Sequence, residues 1–241
     1  MTDATEKAAG GQFRLLGSRR FAPLFLTQFL GAFNDNLYKN ALVVLVTFQS
    51  AQWTSMRPEI LGNLAAGLFI LPFFFFSATS GQLADKYDKA MLARLTKMLE
   101  IAIMIVAIAG FLLHSLALLL GALFLLGLQS TLFGPVKYAI LPQHLHEDEL
   151  VGGNAQVEAG TFVAILIGTL AGGLLAGAGV DAVWIAMAGF AIAVAGYLAS
   201  RAIPEAPPPA PDLVVNVNPL SETWRNIGFA RENRTVFLSI L

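Results

Sequence analysis

Residues 29–40 read FLGAFNDNLYKN, and the interpretation of the rest of the chain depends on this stretch. It lies within an apolar run, residues 21–48, that is long enough to cross a bilayer, since ~20 helical residues at about 1.5 Å each match the hydrocarbon thickness. A carboxylate at that depth, here Asp35, costs on the order of 3 kcal/mol unless it faces protein or water. The acid, flanked by asparagines and followed by Lys39, therefore indicates a polar pathway through a membrane.

The composition is that of an integral membrane protein. Of the 241 residues, 56% are hydrophobic and only 13% are charged, and the mean hydropathy is +0.67, whereas soluble domains are about a quarter charged. The net charge of −1 argues against a nucleic-acid partner. The absence of cysteine excludes disulfides and thiolate metal sites. No nucleotide, nucleophile or zinc motif is present, so we expect no cofactor, no metal and no catalytic residue.

Hydropathy predicts an all-α, polytopic membrane protein with six transmembrane helices. The predicted spans are 21–48, 59–84, 92–113, 115–138, 152–178 and 182–203. Thirteen of the 15 lysines and arginines lie on one side of these spans, which the positive-inside rule makes cytoplasmic. Four of them surround the connection between the second and third spans, namely Lys86, Lys89, Arg94 and Lys97. We therefore expect segment 1–20 inside the cell, without a cleaved signal peptide, and Arg57 outside.

The composition changes after the sixth span. Residues 204–211 contain five prolines and predict an extended cytoplasmic linker. Asn218 and Pro219 resemble a helix start, and Leu220, Trp224 and Ile227 follow at helical spacing, so segment 204–234 is predicted to combine the linker with an amphipathic helix. Residues 235–241 are apolar and too few to cross, and we expect them to begin a seventh helix that the chain does not complete.

One face of the first span carries its polar residues. Gln28, Gly31, Asp35 and Lys39 are three or four residues apart and share that face, with Asn36 beside it. Two interpretations are open. Asp35 and Lys39 neutralise one another, or the face lines a water-filled cavity. The second also explains why polar groups occupy a membrane span at all.

Residues 81–89 read GQLADKYDK between the second and third spans. This stretch resembles the signature of the major facilitator superfamily, matching at Gly81, Asp85, Lys86 and Lys89, whereas Asp88 stands where glycine is usual. The resemblance implies that Gly81 allows close helix packing. It also implies that the charged residues latch the two halves of a transporter on the cytoplasmic side. A solvated positive loop is the alternative.

Narrower clues are FNDN at 33–36 and FGPVKYAIL at 133–141, together with Asn154 and Glu158. They resemble the bacterial lysophospholipid transporter family, especially modules fused to an acyltransferase and an acyl-carrier-protein ligase. The resemblance implies an inner-membrane protein that flips lysophosphatidylethanolamine by alternating access with a second, C-terminal half. The alternatives are a small-molecule exporter of the same superfamily and the transporter module of a multifunctional acyltransferase–ligase.

The superfamily resemblance further implies that the first and fourth spans line one cavity. Asp35 and Lys137 then lie on facing walls and supply an anion for an ammonium and a cation for a phosphate. Asn36, Lys39 and Glu158 complete the predicted substrate site, although Glu158 is equally placed to pair with Lys137 at the end of the fourth span. The fifth span carries two small-residue registers, 168/172 and 173/177, which predict close helix packing.

Overall fold

A computed structural model describes residues 13–48, 53, 54, 56–216 and 218, and six single residues beyond. This part of the chain is all-α, with no strand among the described residues. Each predicted span corresponds to one helix. The helices are α1 (Ala22–Phe48), α2 (Pro58–Lys86), α3 (Lys89–Leu112), α4 (Leu116–His144), α5 (Leu150–Gly177) and α6 (Ala182–Arg201), with short 3₁₀ turns at Leu15–Gly17 and Glu147–Glu149. The predicted fold class is confirmed.

Five of the helices, α2 to α6, are long and apolar enough to cross a membrane. The 27 residues of α1 make it long enough as well, since they extend about 40 Å, but its polar residues lower its hydropathy. Asn34, Asp35 and Asn36 of α1 are all buried within the bundle. Because these groups face other helices instead of lipid, α1 can cross the membrane together with the other five helices, which makes six spans in a multi-pass membrane protein.

The helices pack so that α1 lies between α5 and α6, while α2 packs against α4 and α3 packs against both α4 and α6. Two apolar clusters fill the interior. The larger one includes Leu42, Met104 and Leu123, and the smaller one lies near the ends of α2 and α3 and includes Phe21, Ala90 and Ile203. The bundle thereby holds α1 against neighbours along its length, which places its polar face inside the protein.

Glycines of α5 allow the close approach of α1. A Cβ atom on Gly172 would lie 2.3 Å from the Leu37 carbonyl oxygen, and one on Gly168 would lie 2.5 Å from that of Phe33. The predicted 168/172 register is therefore a packing surface. The 173/177 register is not, because no described atom lies within 4 Å of a Cβ built on Gly173 or Gly177.

The helix ends explain the departure from the signature at Asp88 and correct the predicted end of the fourth span. Asp88 caps α3 with φ −58°, and its carboxylate accepts a hydrogen bond from the Met91 amide at 2.7 Å, so this turn does not need the glycine of the signature. Lys137 does not end the fourth span. Helix α4 continues through Pro135 and Pro142 to His144, which leaves Lys137 two turns inside it.

The proline-rich linker is not helical between Pro204 and Asn216, and it is docked on the bundle. Lys89, itself buried, donates from Nζ to the Pro207 carbonyl at 3.1 Å and from its backbone amide to Ala206 at 2.9 Å. The Ala206 amide donates to the Asp88 carboxylate at 2.9 Å, and the Ala210 amide donates to the Asp85 carbonyl at 3.0 Å. Ala206 is 0% exposed. The linker is thus anchored over the turn between α2 and α3.

Some expectations fall largely on residues that the structure does not describe. The predicted start of a seventh helix, 235–241, lies outside the described residues, as does most of the predicted amphipathic helix and residues 1–12 of the N-terminal segment.

Adding a methyl group at Gly172 tests the packing of α1 on α5. Gly172→Ala should lower the stability of the full-length protein by about 1–3 kcal/mol, because the new methyl group must displace backbone atoms of α1. Gly173→Ala is the matched control, since its methyl group meets open space, and it should be neutral or slightly stabilising. Thermal unfolding in detergent measures both. Equal effects of the two changes would contradict the packing role of Gly172.

Removing the Lys89 ammonium tests the anchoring of the linker. Lys89→Met should raise the rate of thiol labelling at an Ala206→Cys position several-fold, because it removes a hydrogen bond from a charged donor worth about 1.5–3 kcal/mol. Lys86→Met is the control, because the Lys86 ammonium lies 5.7 Å from the ring centroid of Tyr87 and the change leaves the Lys89–linker bonds in place. Labelling that is equally slow in all three proteins would show that Lys89 does not hold the linker.

Candidate functional site

A cavity of about 470 Å³ opens beside α1. Four of the five predicted substrate residues line it together: Asp35, Asn36, Lys39 and Lys137. Its apolar walls come from Phe69 and Phe73 of α2, Phe133 of α4 and Ile165 of α5. The volume falls in the range of about 300–1,000 Å³ that small-molecule sites occupy.

Asp35 is the anion of the cavity. The carboxylate is 5% exposed, and its Oδ2 accepts a hydrogen bond from the Ser130 hydroxyl on α4. Its Oδ1 is buried and has no hydrogen-bond partner among the described residues. A buried carboxylate oxygen without a donor is costly, so Asp35 retains an unused acceptor beside the cavity that its residue lines.

Lys39 does not neutralise Asp35 directly. Its Nζ donates to Asn36 Oδ1 at 2.9 Å and lies 4.9 Å from the centroid of the Phe69 ring. The ion pairs of the described part of the chain do not include one between Lys39 and Asp35. Of the two interpretations of this helix face, the cavity-lining one fits the structure, because both charges remain available to a ligand.

Lys137 lies on the α4 wall of the same cavity, with its Nζ 4.6 Å from the centroid of the Tyr138 ring. Glu158 of α5 accepts a hydrogen bond from the Tyr138 hydroxyl, and it is not one of the residues that line the cavity. Among the described residues no ion pair joins Glu158 to Lys137. Glu158 thus contacts Tyr138, and Lys137 rather than Glu158 lines the cavity.

The sequence interpretation missed a buried ion pair in α3. Lys97 Nζ lies 2.6 Å from Glu100 Oε2, and both side chains are 1% exposed. Lys97 also lines the cavity. The prediction that counted it among the cytoplasmic charges was therefore wrong. It lies eight residues into α3, about 12 Å from the helix start. The signal was present: an acid three residues after a lysine within an apolar span marks a pair that is neutralised in place.

The predicted latch residues occupy different environments. No described atom lies within 4 Å of a Cβ built on Gly81, so Gly81 does not mediate close helix packing in the described part of the chain. The Lys89 ammonium is bound to the Pro207 carbonyl of the linker. Asp85 is exposed and Lys86 partly exposed, and these two carry the charge of the turn at its surface.

Residues around the connection of α4 to α5 form hydrogen bonds with each other and with distant parts of the chain. The Glu149 carboxylate accepts from Arg20 at 2.7 and 2.5 Å and from the His146 amide at 2.9 Å. His144 Nε2 lies 3.2 Å from the Glu205 carbonyl oxygen. Among the described residues, no cluster of three or more His, Asp or Glu side chains could hold a metal ion.

Known proteins resemble this chain over most of its length. It is 31% identical over 189 residues to the lysophospholipid transporter LplT of Escherichia fergusonii, 77% of this chain and 43% of that protein. It is 30% identical over 223 residues to the lysophospholipid transporter LplT of Escherichia coli strain SE11, 88% of this chain and 52% of that protein. The chain thus spans about half the length of these relatives.

The family comparison covers nearly all of the six-helix bundle. The sequence model of the Major Facilitator Superfamily matches residues 24–241, from the first turn of α1 to the end of the chain. The match agrees with the six-helix architecture and with the signature-like turn between α2 and α3. The chain belongs to the major facilitator superfamily.

Proposed function

We propose that the protein is a lysophospholipid transporter of the inner membrane of a bacterium, and that the cavity beside α1 binds the lipid headgroup. Relatives of the chain carry the name lysophospholipid transporter, and the superfamily moves its substrates by rocking one half against the other around a central site. The chain supplies one wall of such a site. The second half and a partner or fused acyltransferase are part of this proposal.

The observation that carries the proposal is the separation of charge within one cavity. Asp35 lines the cavity from α1 and has a buried, unpartnered oxygen, and Lys137 lines it from α4. A lysophosphatidylethanolamine headgroup needs an anion for its ammonium and a cation for its phosphate, and charge-assisted hydrogen bonds to these two residues provide both. Lys39 adds a second cation beside the phosphate position.

The aromatic walls suit the remainder of such a lipid. Phe69, Phe73 and Phe133 border the charged residues, and α2 exposes further aromatic side chains at Phe74 and Phe75. A lipid with a single acyl chain can place its headgroup among the charges and its chain along this apolar surface. Because lipid tails are as apolar as this surface, the acyl chain can move there from the bilayer without loss of apolar surroundings.

Neutralising Asp35 tests the headgroup site. Asp35→Asn in the full-length protein should reduce uptake of lysophosphatidylethanolamine by spheroplasts about tenfold, because a loss of ~1.4 kcal/mol of attraction for the ammonium weakens binding by that factor. Folding should survive, since a neutral side chain costs less in a membrane interior.

The matched control for that experiment is Asp181→Asn, which removes an acid outside the cavity and keeps an N-cap on α6. It should leave uptake unchanged. Wild-type uptake by Asp35→Asn, normalised to protein amount, would disprove the role of Asp35.

We further propose that the N-terminus and the docked linker face the cytoplasm. The support is the distribution of lysines and arginines, although Lys97 no longer contributes to it. An Arg57→Cys variant, in an otherwise cysteine-free protein, should react with a membrane-impermeant maleimide from outside intact cells. Reaction only after the cytoplasmic side is opened would invert the topology.

We also propose that Asp85 and Lys86 latch the two halves of the transporter on the cytoplasmic side. Both lie at the surface of the turn between α2 and α3, next to the anchored linker. Asp85→Asn should slow transport by the full-length protein several-fold without reducing its amount in the membrane, because the cytoplasmic closure loses one charge-assisted contact. Glu205→Gln neutralises an exposed acid of the linker nearby and serves as the control. If Asp85→Asn and Glu205→Gln transport alike, the latch role is wrong.

A further inference from the structure

Three helices converge on one buried carboxylate. Glu100 of α3 accepts hydrogen bonds from Lys97 Nζ at 2.6 Å, from Asn34 Nδ2 of α1 at 2.7 Å and from Gln129 Nε2 of α4 at 3.4 Å. Because an ionised carboxylate only accepts, the orientations of both amides are determined by Glu100. The carboxylate therefore contacts α1 and α4 at the same time.

Both amides that Glu100 binds are next in sequence to residues of the cavity. Asn34 precedes Asp35, while Gln129 itself lines the cavity and precedes Ser130, whose hydroxyl donates to the Asp35 carboxylate. Ser130 Oγ also lies 3.3 Å from Gln129 Oε1. A continuous path of polar contacts thus runs from Glu100 to Asp35. Neither Asn34 nor Glu100 is among the residues that line the cavity.

Stability alone is a poor reason for this arrangement. A buried ion pair is often no more stabilising than well-packed apolar residues of similar size, because both charges lose their hydration. A Cβ on Gly31 would lie 2.2 Å from Lys97 Nζ, so the glycine gives this ammonium room at its observed position beside Glu100. The chain therefore leaves a space in α1, its most polar helix, for the lysine that neutralises Glu100.

We infer that Glu100 is a positioning residue, which sets the separation of the α1 wall, carrying Asp35, from the α4 wall, carrying Lys137. This inference rests on the proposed function, because that separation is the distance a headgroup must span between its ammonium and its phosphate. Sites that recognise two groups at once need their side chains held to within about 0.5 Å. Glu100 thereby governs headgroup selection without touching the substrate.

Variants that each remove one amide hydrogen bond to Glu100 test the inference in the full-length protein. Asn34→Leu removes the bond to α1, and Gln129→Leu removes the bond to α4, while Lys97 and Glu100 stay paired. Thr96→Val is the control, because Thr96 is equally buried on α3 but its hydroxyl binds only the Ala93 carbonyl of its own helix.

The first measurement is uptake of lysophosphatidylethanolamine and of lysophosphatidylglycerol, which lacks the ammonium. Asn34→Leu and Gln129→Leu should raise KM for the ethanolamine lipid about tenfold, the factor expected if the displaced walls weaken the headgroup contacts by ~1.4 kcal/mol. The maximal rate per protein should stay close to that of the wild type, and KM for the glycerol lipid should rise less. Thr96→Val should change neither. A variant that only destabilised the fold would instead lower protein amount or maximal rate for both lipids.

The second measurement needs no substrate. Cysteines at Ala32 of α1 and Gly134 of α4, both in the cavity wall, are joined with methanethiosulfonate cross-linkers of graded length in a cysteine-free background. The parent protein and Thr96→Val should share one preferred length. Asn34→Leu and Gln129→Leu should shift or broaden it.

Each outcome decides the inference. An unchanged preferred length in both leucine variants overturns it, as does an unchanged KM in a protein that transports the lipid. If Asn34→Leu fails to accumulate in membranes, the preferred cross-linker length of Gln129→Leu decides, because Gln129 lines the cavity and its KM can change by direct contact. A shifted length in a protein that takes up neither lipid supports the positioning role and counts against the proposed function instead.

Discussion

Charged groups in a membrane span must find partners within the protein, and this constraint accounts for much of the arrangement of α1. Asp35 is buried against Ser130, Lys39 against Asn36, and Asn34 against Glu100. None of these groups could face hydrocarbon at an acceptable cost. The other helices therefore surround α1, and the polar face is directed into a cavity and a buried network instead of toward lipid.

The same requirement explains the small residues near α1. Gly168 and Gly172 bring α5 against the α1 backbone, and Gly31 leaves space for the Lys97 ammonium. At the turn between α2 and α3, Lys89 donates hydrogen bonds to carbonyl groups of the proline-rich linker. Lys89, a residue of the signature, thus binds the linker that follows α6. Asp85 is exposed and Lys86 partly exposed at the surface of the turn between α2 and α3.

The sequence predicted the six helices well, because each apolar run is bounded by polar residues or by a capping residue such as Asp88, Ser115 or Asp181. It also predicted that Asp35 and Lys137 lie in one cavity, but this depended on a family resemblance, since spacing alone gives no contacts between helices. Lys97 was misplaced because positive charges near a span end are usually cytoplasmic. The packing roles of Gly81 and Gly173 stay predictions, because a glycine shows only that close packing is possible and no described atom lies near a Cβ at either position.

The central claim is that the cavity beside α1 holds the headgroup between an anion and a cation. The most direct measurement is an electron cryomicroscopy structure of the full-length protein in nanodiscs with bound lysophosphatidylethanolamine. We expect the ammonium nitrogen within hydrogen-bond distance of the Asp35 carboxylate, and the phosphate beside Lys137 with Lys39 nearby. A headgroup bound outside this cavity, or one whose ammonium lies away from Asp35, would contradict the account.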